Sequence, residues 1–165
     1  MQKTPTLLMK ELKYLQSEAE RLYLEDVERS YAPLNEDMTF KYDTGYSYEN
    51  NRKELEHIYE EELRIKSALA KFNSTTKAWG QEYTIAEALV RIAQLKNEIK
   101  VLTKLANKTE YTETNIGNYS NPKNITNKIN YDQNKVKLDL SRFQKELTTL
   151  QIAVDKTNLT TFVEY

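Results

Sequence analysis

Apolar residues recur at alternating spacings of three and four along four segments of the chain, which is the pattern of amphipathic helices with a heptad seam. We therefore predict helices over about residues 5–31, 48–77, 84–107 and 132–156. The seam positions, in chain order, are Leu8, Leu12, Leu15, Ala19 and Leu22; Leu55, Ile58, Glu62, Ile65, Leu69 and Phe72; Ile85, Ala88, Ile92, Leu95, Ile99, Leu102 and Ala106; and Val136, Leu140, Phe143, Leu147, Leu150 and Val154. The expected fold class is all-α: a long-helix bundle of three to four helices with antiparallel coiled-coil packing.

Two of the seams are interrupted by polar residues. In the first helix the strict repeat fails at Asp26 and Arg29, although Val27 and Tyr31 can carry a drifting apolar stripe. In the second helix Glu62 occupies a position where an apolar side chain is expected. A polar residue at a seam position often fixes the register or the oligomeric state. The alternative is that the seam drifts locally and a neighbouring apolar side chain covers the gap.

Capping residues mark where the helices begin. Thr4-Pro5 combines a cap residue with proline at the first helical position. Thr84-Ile85-Ala86-Glu87 has the form of a capping box, in which the side chains of the threonine and the glutamate each accept from the other's backbone N–H. The short connection containing Gly80 predicts that the second and third helices form an antiparallel hairpin.

The connecting segments carry weaker signals. Residues 32–47 are predicted to be a loop in which Met38 to Tyr42 alternate as a short strand or an extended packed segment would, before a turn at Asp43-Thr44-Gly45. Residues 108–130 are rich in Asn, Thr and Tyr and are predicted to be a long, mobile loop, with room for short extended segments. Residues 157–165 are predicted to be a short polar tail.

Composition and charge limit the function classes. A chain of 165 residues fits a single helical domain over residues 1–165. Its net charge of −1 gives no overall attraction to nucleic acid or to an anionic membrane. Its Asn, Lys, Ile, Thr and Tyr content is typical of AT-rich bacterial genomes. No segment reaches the length of a membrane span, and the apolar run Leu7 to Met9 is too short for a signal peptide. We therefore expect a soluble, cytoplasmic, bacterial protein.

The only histidine provides the one candidate metal ligand set. Glu54 and His57 match the Glu-x-x-His half of a dinuclear carboxylate site, and Glu61 adds a carboxylate one turn later. A complete site needs a second such motif, which only a homodimer could supply. The heptad places Leu55 and Ile58 inward, so His57 points outward. The pattern therefore favours a solvated helix face, and we expect no bound metal and no cofactor.

Charged residues form a second candidate surface. The third helix carries a basic stripe at four-residue spacing, composed of Lys96, Lys100, Lys104 and Lys108. The second helix is acidic, with Glu54, Glu56, Glu60, Glu61 and Glu62. The stripe could meet phosphates, but charge complementarity between helices or subunits explains it equally simply. The balanced net charge and the lack of a nucleic-acid-binding motif argue against nucleic-acid binding.

Catalytic motifs are missing from the sequence. The chain has no cysteine, no glycine-rich phosphate loop and no nucleophile elbow, and one histidine leaves little material for acid–base catalysis. Trp79, Tyr83 and Tyr111 lie near predicted helix ends, where aromatic residues more often cap a bundle or fill an interface than bind a ligand. We expect no enzymatic activity and no catalytic residues.

Two sequence elements resemble a known family. Phe72-Asn73-Ser74-Thr75-Thr76, followed by Tyr83-Thr84-Ile85-Ala86-Glu87-Ala88-Leu89 and a long helix, resembles the septicolysin-like family of small bacterial helical proteins. The family's C-terminal Asn-x-Thr-Thr element corresponds here to Asn158-Leu159-Thr160-Thr161, with Leu159 where the family pattern has tryptophan. The resemblance covers about residues 50–165 and implies a helical, oligomeric protein of unassigned activity, with no catalytic residues to transfer.

The sequence therefore predicts a non-enzymatic helical homo-oligomer that acts through interaction surfaces. Narrow apolar seams on long helices bury little surface unless the helices pair, and the third helix adds Val101 and Leu105 outside its seam. The first alternative is a metal-binding helical bundle that uses Glu54, His57 and Glu61. The second alternative is a nucleic-acid-associated protein that uses the lysine stripe.

Overall fold

The computed structural model describes residues 2–117 and 123–165, which form four helices and four short strands. In chain order these are β1 (Gln2–Lys3), α1 (Pro5–Arg29), α2 (Tyr48–Thr75), α3 (Ile85–Ala106), β2 (Tyr111–Ile116), β3 (Lys123–Lys128), α4 (Gln133–Thr160) and β4 (Val163–Glu164). The strands form two antiparallel pairs, β1 with β4 and β2 with β3. The protein is therefore mostly helical, and two small sheets add to the predicted helices.

The predicted caps form as expected. The Thr4 hydroxyl accepts a hydrogen bond from Leu7 N at 3.4 Å, with Pro5 at the first helical position. At the start of α3 the Thr84 hydroxyl accepts from Glu87 N at 3.2 Å, and the Glu87 carboxylate accepts from Thr84 N at 2.8 Å. These bonds satisfy N–H groups that have no partner inside the helix, which is why both helices begin at their threonines.

The predicted loop over residues 108–130, which allowed short extended segments, contains an antiparallel hairpin of β2 and β3. Residues 118–122 of that loop lie outside the described residues. Thr, Tyr and Ile favour extended backbone, which accounts for the strands. The hairpin has no strongly apolar face, so it lacks the alternation that would have identified it. The predicted mobility of this segment stays a prediction.

The ends of the first and last helices also differ from the prediction. Helix α1 ends at Arg29 rather than near residue 31. Helix α4 continues to Thr160, so the predicted polar tail is partly helix, and Thr157 within it is buried. The remaining segment contains β4 with a buried Val163. In the 32–47 connector a single bridge joins Leu34 and Phe40, and Phe40 is exposed instead of packed.

The chain divides into two compact units, of which the first comprises Met1–Thr76 and Asp155–Tyr165. Within it α1 and α2 run antiparallel, because late residues of α1 contact early residues of α2. Their shared core consists of Ala19, Leu22, Leu55 and Ile58, with Leu15 packed against it. These are seam positions of the predicted helices, so the heptad pattern identified this core correctly.

Short terminal strands complete the first unit. Lys3 in β1 pairs with Val163 in β4, and its ammonium forms an ion pair with Glu11 at 2.7 Å. The Thr6 hydroxyl donates to the carbonyl of Asn158 at 3.0 Å. These contacts join the start of α1 to the last turn of α4.

The second unit comprises Lys77–Val154. Its helices are joined by a two-pronged ion pair in which Arg91 Nε and Nη2 donate to the Glu146 carboxylate at 2.7 and 3.0 Å. At the other end of α3 the Tyr131 hydroxyl donates to the Leu105 carbonyl at 2.8 Å. These contacts place α3 antiparallel to the first part of α4. The single-domain prediction for residues 1–165 and the predicted hairpin of α2 with α3 stay predictions.

Candidate functional site

A polar cluster lies where the heptad of α1 fails. One oxygen of Asp26 accepts from Tyr46 Oη at 3.0 Å and from Asn51 Nδ2 at 3.1 Å, and the other oxygen forms an ion pair with Arg52. The guanidinium of Arg52 lies 5.0 Å from the centre of the Tyr48 ring. Asn51 is buried and Asp26 is largely covered. The cluster therefore fixes the start of α2 and the connector before it against the end of α1.

The drifting stripe predicted at this end of α1 does not form. Val27 is 75% exposed and Tyr31 is 90% exposed, so neither continues the buried seam. Asp26 occupies the next heptad position, and its carboxylate makes hydrogen bonds there instead of apolar contacts. The break at Asp26 was visible in the sequence, but its partners were not, because they lie 20 or more residues further along the chain.

An open hollow of about 390 Å³ adjoins this polar cluster. Phe40, Tyr42 and Tyr46 supply its aromatic wall, and Arg29 and Asp43 supply opposite charges. Tyr46 belongs to both the polar cluster and the hollow, because its hydroxyl donates to Asp26 and it also lines the hollow. The hollow therefore combines an aromatic surface with one basic and one acidic side chain.

The structure does not assemble the candidate metal ligands into one cluster. Glu54 and His57 are exposed and line a groove between α1 and α2, together with Glu18 and Arg21. The Glu61 carboxylate forms an ion pair with Arg64 at 2.8 Å instead. Across residues 2–117 and 123–165, no three side chains of the metal-ligating types lie close enough to hold an ion.

The lysine stripe is on the surface, where the sequence placed it. Lys96, Lys100, Lys104 and Lys108 are all exposed along α3 and just beyond it. None of them forms an ion pair with any residue that the structure describes. The charge complementarity between helices or subunits that could explain the stripe stays a prediction.

Glu62, the charged seam residue of α2, has its partner on the same helix. Its carboxylate forms an ion pair with the Lys66 ammonium one turn later, at 2.6 Å, and its side chain is only 15% exposed. The neighbouring Leu63 is 68% exposed, so it does not cover the seam position. Within the described residues Glu62 is therefore paired inside α2, and its role in fixing register or oligomeric state stays a prediction.

An apolar groove lies on the side of α3 opposite its buried seam. It is lined by Tyr83, Ala86, Glu87, Val90, Arg91 and Gln94, with a volume of about 500 Å³. Ala86 and Val90 lie one turn apart on α3, and Tyr83, which precedes the N-cap Thr84, lines the same groove, so the three side chains form one apolar strip. Trp79 and Tyr111, the other two aromatic candidates, are exposed and do not line the groove.

The shifted pKa values in the described chain arise from pairs and caps. The Glu146 carboxylate, by its hydrogen bond, raises the pKa of Arg91, and Glu11 does the same for Lys3. The hydrogen bonds from Thr84 lower the pKa of Glu87. The hydroxyl of Tyr23 contacts that of Tyr59 and raises its pKa. Each shift has a local hydrogen bond as its largest cause, so none marks a desolvated catalytic group.

Membrane and homology comparisons add no further site. No helix among the described residues has the length and apolarity needed to cross a membrane. Comparison of the chain with family models, with curated proteins and with solved structures finds no match.

Proposed function

We propose that this chain is a non-enzymatic helical protein that assembles into a homo-oligomer and works through its interaction surfaces. The observation that carries the proposal is the apolar strip formed by Tyr83, just before α3, and by Ala86 and Val90 on α3. The strip faces away from the seam that packs inside the second unit. It is therefore available to a second molecule.

The chemistry of the groove suits a protein surface better than a small ligand. Val90 is 59% exposed, and Val101 continues the same side of α3. Burying exposed apolar area of this kind favours association between two protein surfaces. Glu87 and Arg91 border the groove with opposite charges, and Arg91 is held in place by Glu146. A rigid polar border around an apolar centre is common at protein interfaces.

Antiparallel coiled-coil packing of the long helices is the assembly mode that we propose. Exposed apolar positions at helical spacing on α3 supply a second seam, on the side opposite Ile85, Ala88 and Ile92. A helix with two seams can pack inside its own molecule and against another molecule. The proposal includes a cytoplasmic location and membership of the septicolysin-like family, which the Thr84 to Leu89 pattern supports.

The experiment is a charge placed in the strip. We expect Val90→Arg to reduce oligomer content at tens of micromolar protein, on the order of cellular abundance, in sedimentation velocity. Leu89→Arg is the matched control, because Leu89 is similarly exposed one residue away but does not line the groove. A wild-type protein that is monomeric under these conditions would refute the proposal.

Two assays test the alternative functions. Stoichiometric iron, manganese or zinc in untagged protein, lost in His57→Ala, would favour a metal-binding bundle. Binding to DNA that weakens steeply with salt, and that Lys→Gln replacement of Lys96, Lys100, Lys104 and Lys108 removes, would favour nucleic-acid association.

A further inference from the structure

The strands of the β2–β3 hairpin are more exposed to solvent than the strands of a stable sheet. All six residues of each strand are exposed, and in the described chain the two strands pair only with each other. A lone two-stranded hairpin is marginally stable in water, and further strands or a packed layer are needed to hold it. The hairpin therefore lacks the further strand or packed layer that would stabilise it.

The two free edges of the hairpin differ in charge. Strand β3 carries Lys123 and Lys128 at its two ends. Lysines on an edge strand oppose pairing with another chain, because pairing would bring their charges against the incoming strand. Strand β2, with the sequence YTETNI, contains neither lysine nor proline. The edge of β2 is therefore the edge that can accept another strand.

The hydrogen-bond pattern shows which backbone groups β2 offers at that edge. Ile129 N donates to the Glu110 carbonyl at 3.0 Å, so these two residues form a bonded pair of the ladder. Bonded and non-bonded pairs alternate along an antiparallel ladder. The N–H and C=O groups of Thr112, Thr114 and Ile116 thus point into the hairpin. Those of Tyr111, Glu113 and Asn115 point outward.

We propose that β2 pairs antiparallel with β2 of a second copy of this chain, about a two-fold axis at Thr114. In an antiparallel pair, residues directly opposite each other have their side chains on the same face, whereas consecutive residues of one strand lie on opposite faces. A two-fold axis that relates two identical strands must therefore pass through a residue and not between two residues. Two registers overlap five residues of β2, one centred on Glu113 and one on Thr114. The first sets two glutamates directly opposite each other, which is unfavourable. The second sets Glu113 opposite the partner's Asn115.

This register uses the groups that the hairpin leaves open. Glu113 and Asn115 of both copies exchange their outward N–H and C=O groups, which forms four main-chain hydrogen bonds. Thr112, Thr114 and Ile116 share one face, and Ile125 lies opposite Thr114 on that face within the hairpin. The resulting four-stranded sheet collects two isoleucines from each copy on one side. The inference rests on the proposed homo-oligomer and specifies one of its contacts.

A cysteine cross-link tests the register directly, because the natural chain has no cysteine. Thr114 of one copy would lie opposite Thr114 of the other copy in a non-bonded pair. The two Cα atoms would be about 4.5 Å apart, a distance that a disulfide can span. We expect mild oxidation to give a disulfide-linked dimer of Thr114→Cys. Thr126→Cys on β3 is the control and should stay uncrosslinked. Cross-linking through Thr126→Cys alone would overturn the proposal.

Proline substitution tests the edge by a second route. Asn115 and Asn124 lie opposite each other in a non-bonded pair of the hairpin, so neither N–H serves the hairpin's own ladder. Asn115→Pro removes an outward donor from the β2 edge, and Asn124→Pro makes the same change on the β3 edge. We expect Asn115→Pro to lower the dimer association constant at least about tenfold. Asn124→Pro should leave it unchanged.

The two tests separate this inference from the proposed function. A monomeric wild-type protein in sedimentation velocity would overturn both. A wild-type oligomer that Asn115→Pro does not weaken, and that Thr114→Cys does not cross-link, would overturn the strand pairing and leave the homo-oligomer in place. Equal weakening by both proline variants without a Thr114→Cys dimer would also overturn the strand pairing.

Discussion

The α1–α2 pair and the β2–β3 hairpin are both antiparallel pairs of elements that are consecutive in the chain, yet they bury very different amounts of surface. The helices share a core in which Leu22 is 1% exposed, whereas every residue of the two strands is exposed. Helix α1 presents Leu15, Ala19 and Leu22 to its partner on successive turns. The strands place Thr, Asn and charged residues on both faces. One pair supplies its own stabilisation, and the other depends on a further surface.

Amide hydrogen exchange gives the largest contrast between the two pairs. In dilute protein we expect amides in the middle of α2, near Ile58, to exchange about a thousandfold or more slowly than amides of the hairpin, since buried helices open only with most of the fold. The measurement is exchange followed by mass spectrometry of peptides. Slow exchange throughout residues 108–130 would remove the contrast.

Truncation of a core residue should have the next largest effect. Leu22→Ala removes a side chain packed with Leu55 and Ile58, so we expect a loss of about 2–5 kcal/mol in the free energy of unfolding. Leu24→Ala on the same helix is the control, because Leu24 is 59% exposed and should change stability by no more than about 0.5 kcal/mol. Urea unfolding measures both. Similar values for the two variants would contradict this account of the α1–α2 core.

The polar cluster tests whether the α1–α2 pair depends on more than apolar burial. Asp26→Ala leaves Asn51 and Arg52 without the carboxylate that they bind, so we expect a loss of about 1–3 kcal/mol. Glu28→Ala, an exposed glutamate two residues later, should have little effect. Thermal unfolding of both variants decides the matter. An unchanged midpoint in Asp26→Ala would make the cluster dispensable.

The α3 cap predicts a smaller, local effect. Thr84→Ala removes the hydroxyl that accepts from Glu87 N, and we expect a loss of about 1 kcal/mol. Thr84→Ser keeps the hydroxyl and should recover most of that loss. Helix content by circular dichroism and urea unfolding give the result. A loss in Thr84→Ser as large as in Thr84→Ala would exclude the cap as its cause.

The smallest effect concerns pH. Hydrogen bonds from Thr84 hold the pKa of Glu87 below its ordinary value of 4.5, so the folded state favours the ionised carboxylate. Its contribution is present above the unfolded pKa and is lost as the pH falls through the lower folded pKa. We expect the melting temperatures of wild type and Glu87→Gln to differ at pH 7 and to converge as the pH falls below the lowered pKa of Glu87. Exposed Glu60→Gln is the control, and a Glu87→Gln difference that is independent of pH would contradict the linkage.

Local signals in the sequence were enough to place the helices. The caps at Thr4 and Thr84 and the heptad positions around Leu22 and Leu55 depend on residues within a few turns of each other. The last turn of α4 was missed because it is polar, and it is held by distant contacts such as Thr6 to the Asn158 carbonyl. Sequence periodicity contains no information about such a contact.

The candidate surfaces were predictable only in part. The sequence showed that Asp26 breaks the heptad, but Tyr46, Asn51 and Arg52 reach it through a long connector. The hairpin was missed because its threonines and asparagines suit loops as well as exposed strands. The difference in charge between its two free edges became apparent only once the strands and their pairing were known.

The position of Trp79 determines what optical spectroscopy can report on this protein. It is the chain's one tryptophan, and it lies exposed in the turn where Ala78 N donates to the Tyr83 carbonyl at 2.9 Å. Trp79 is therefore already 56% exposed in the folded state. Tryptophan emission should shift little when the helices melt, so a fluorescence trace of unfolding would follow this one turn and leave the packed seams undetected.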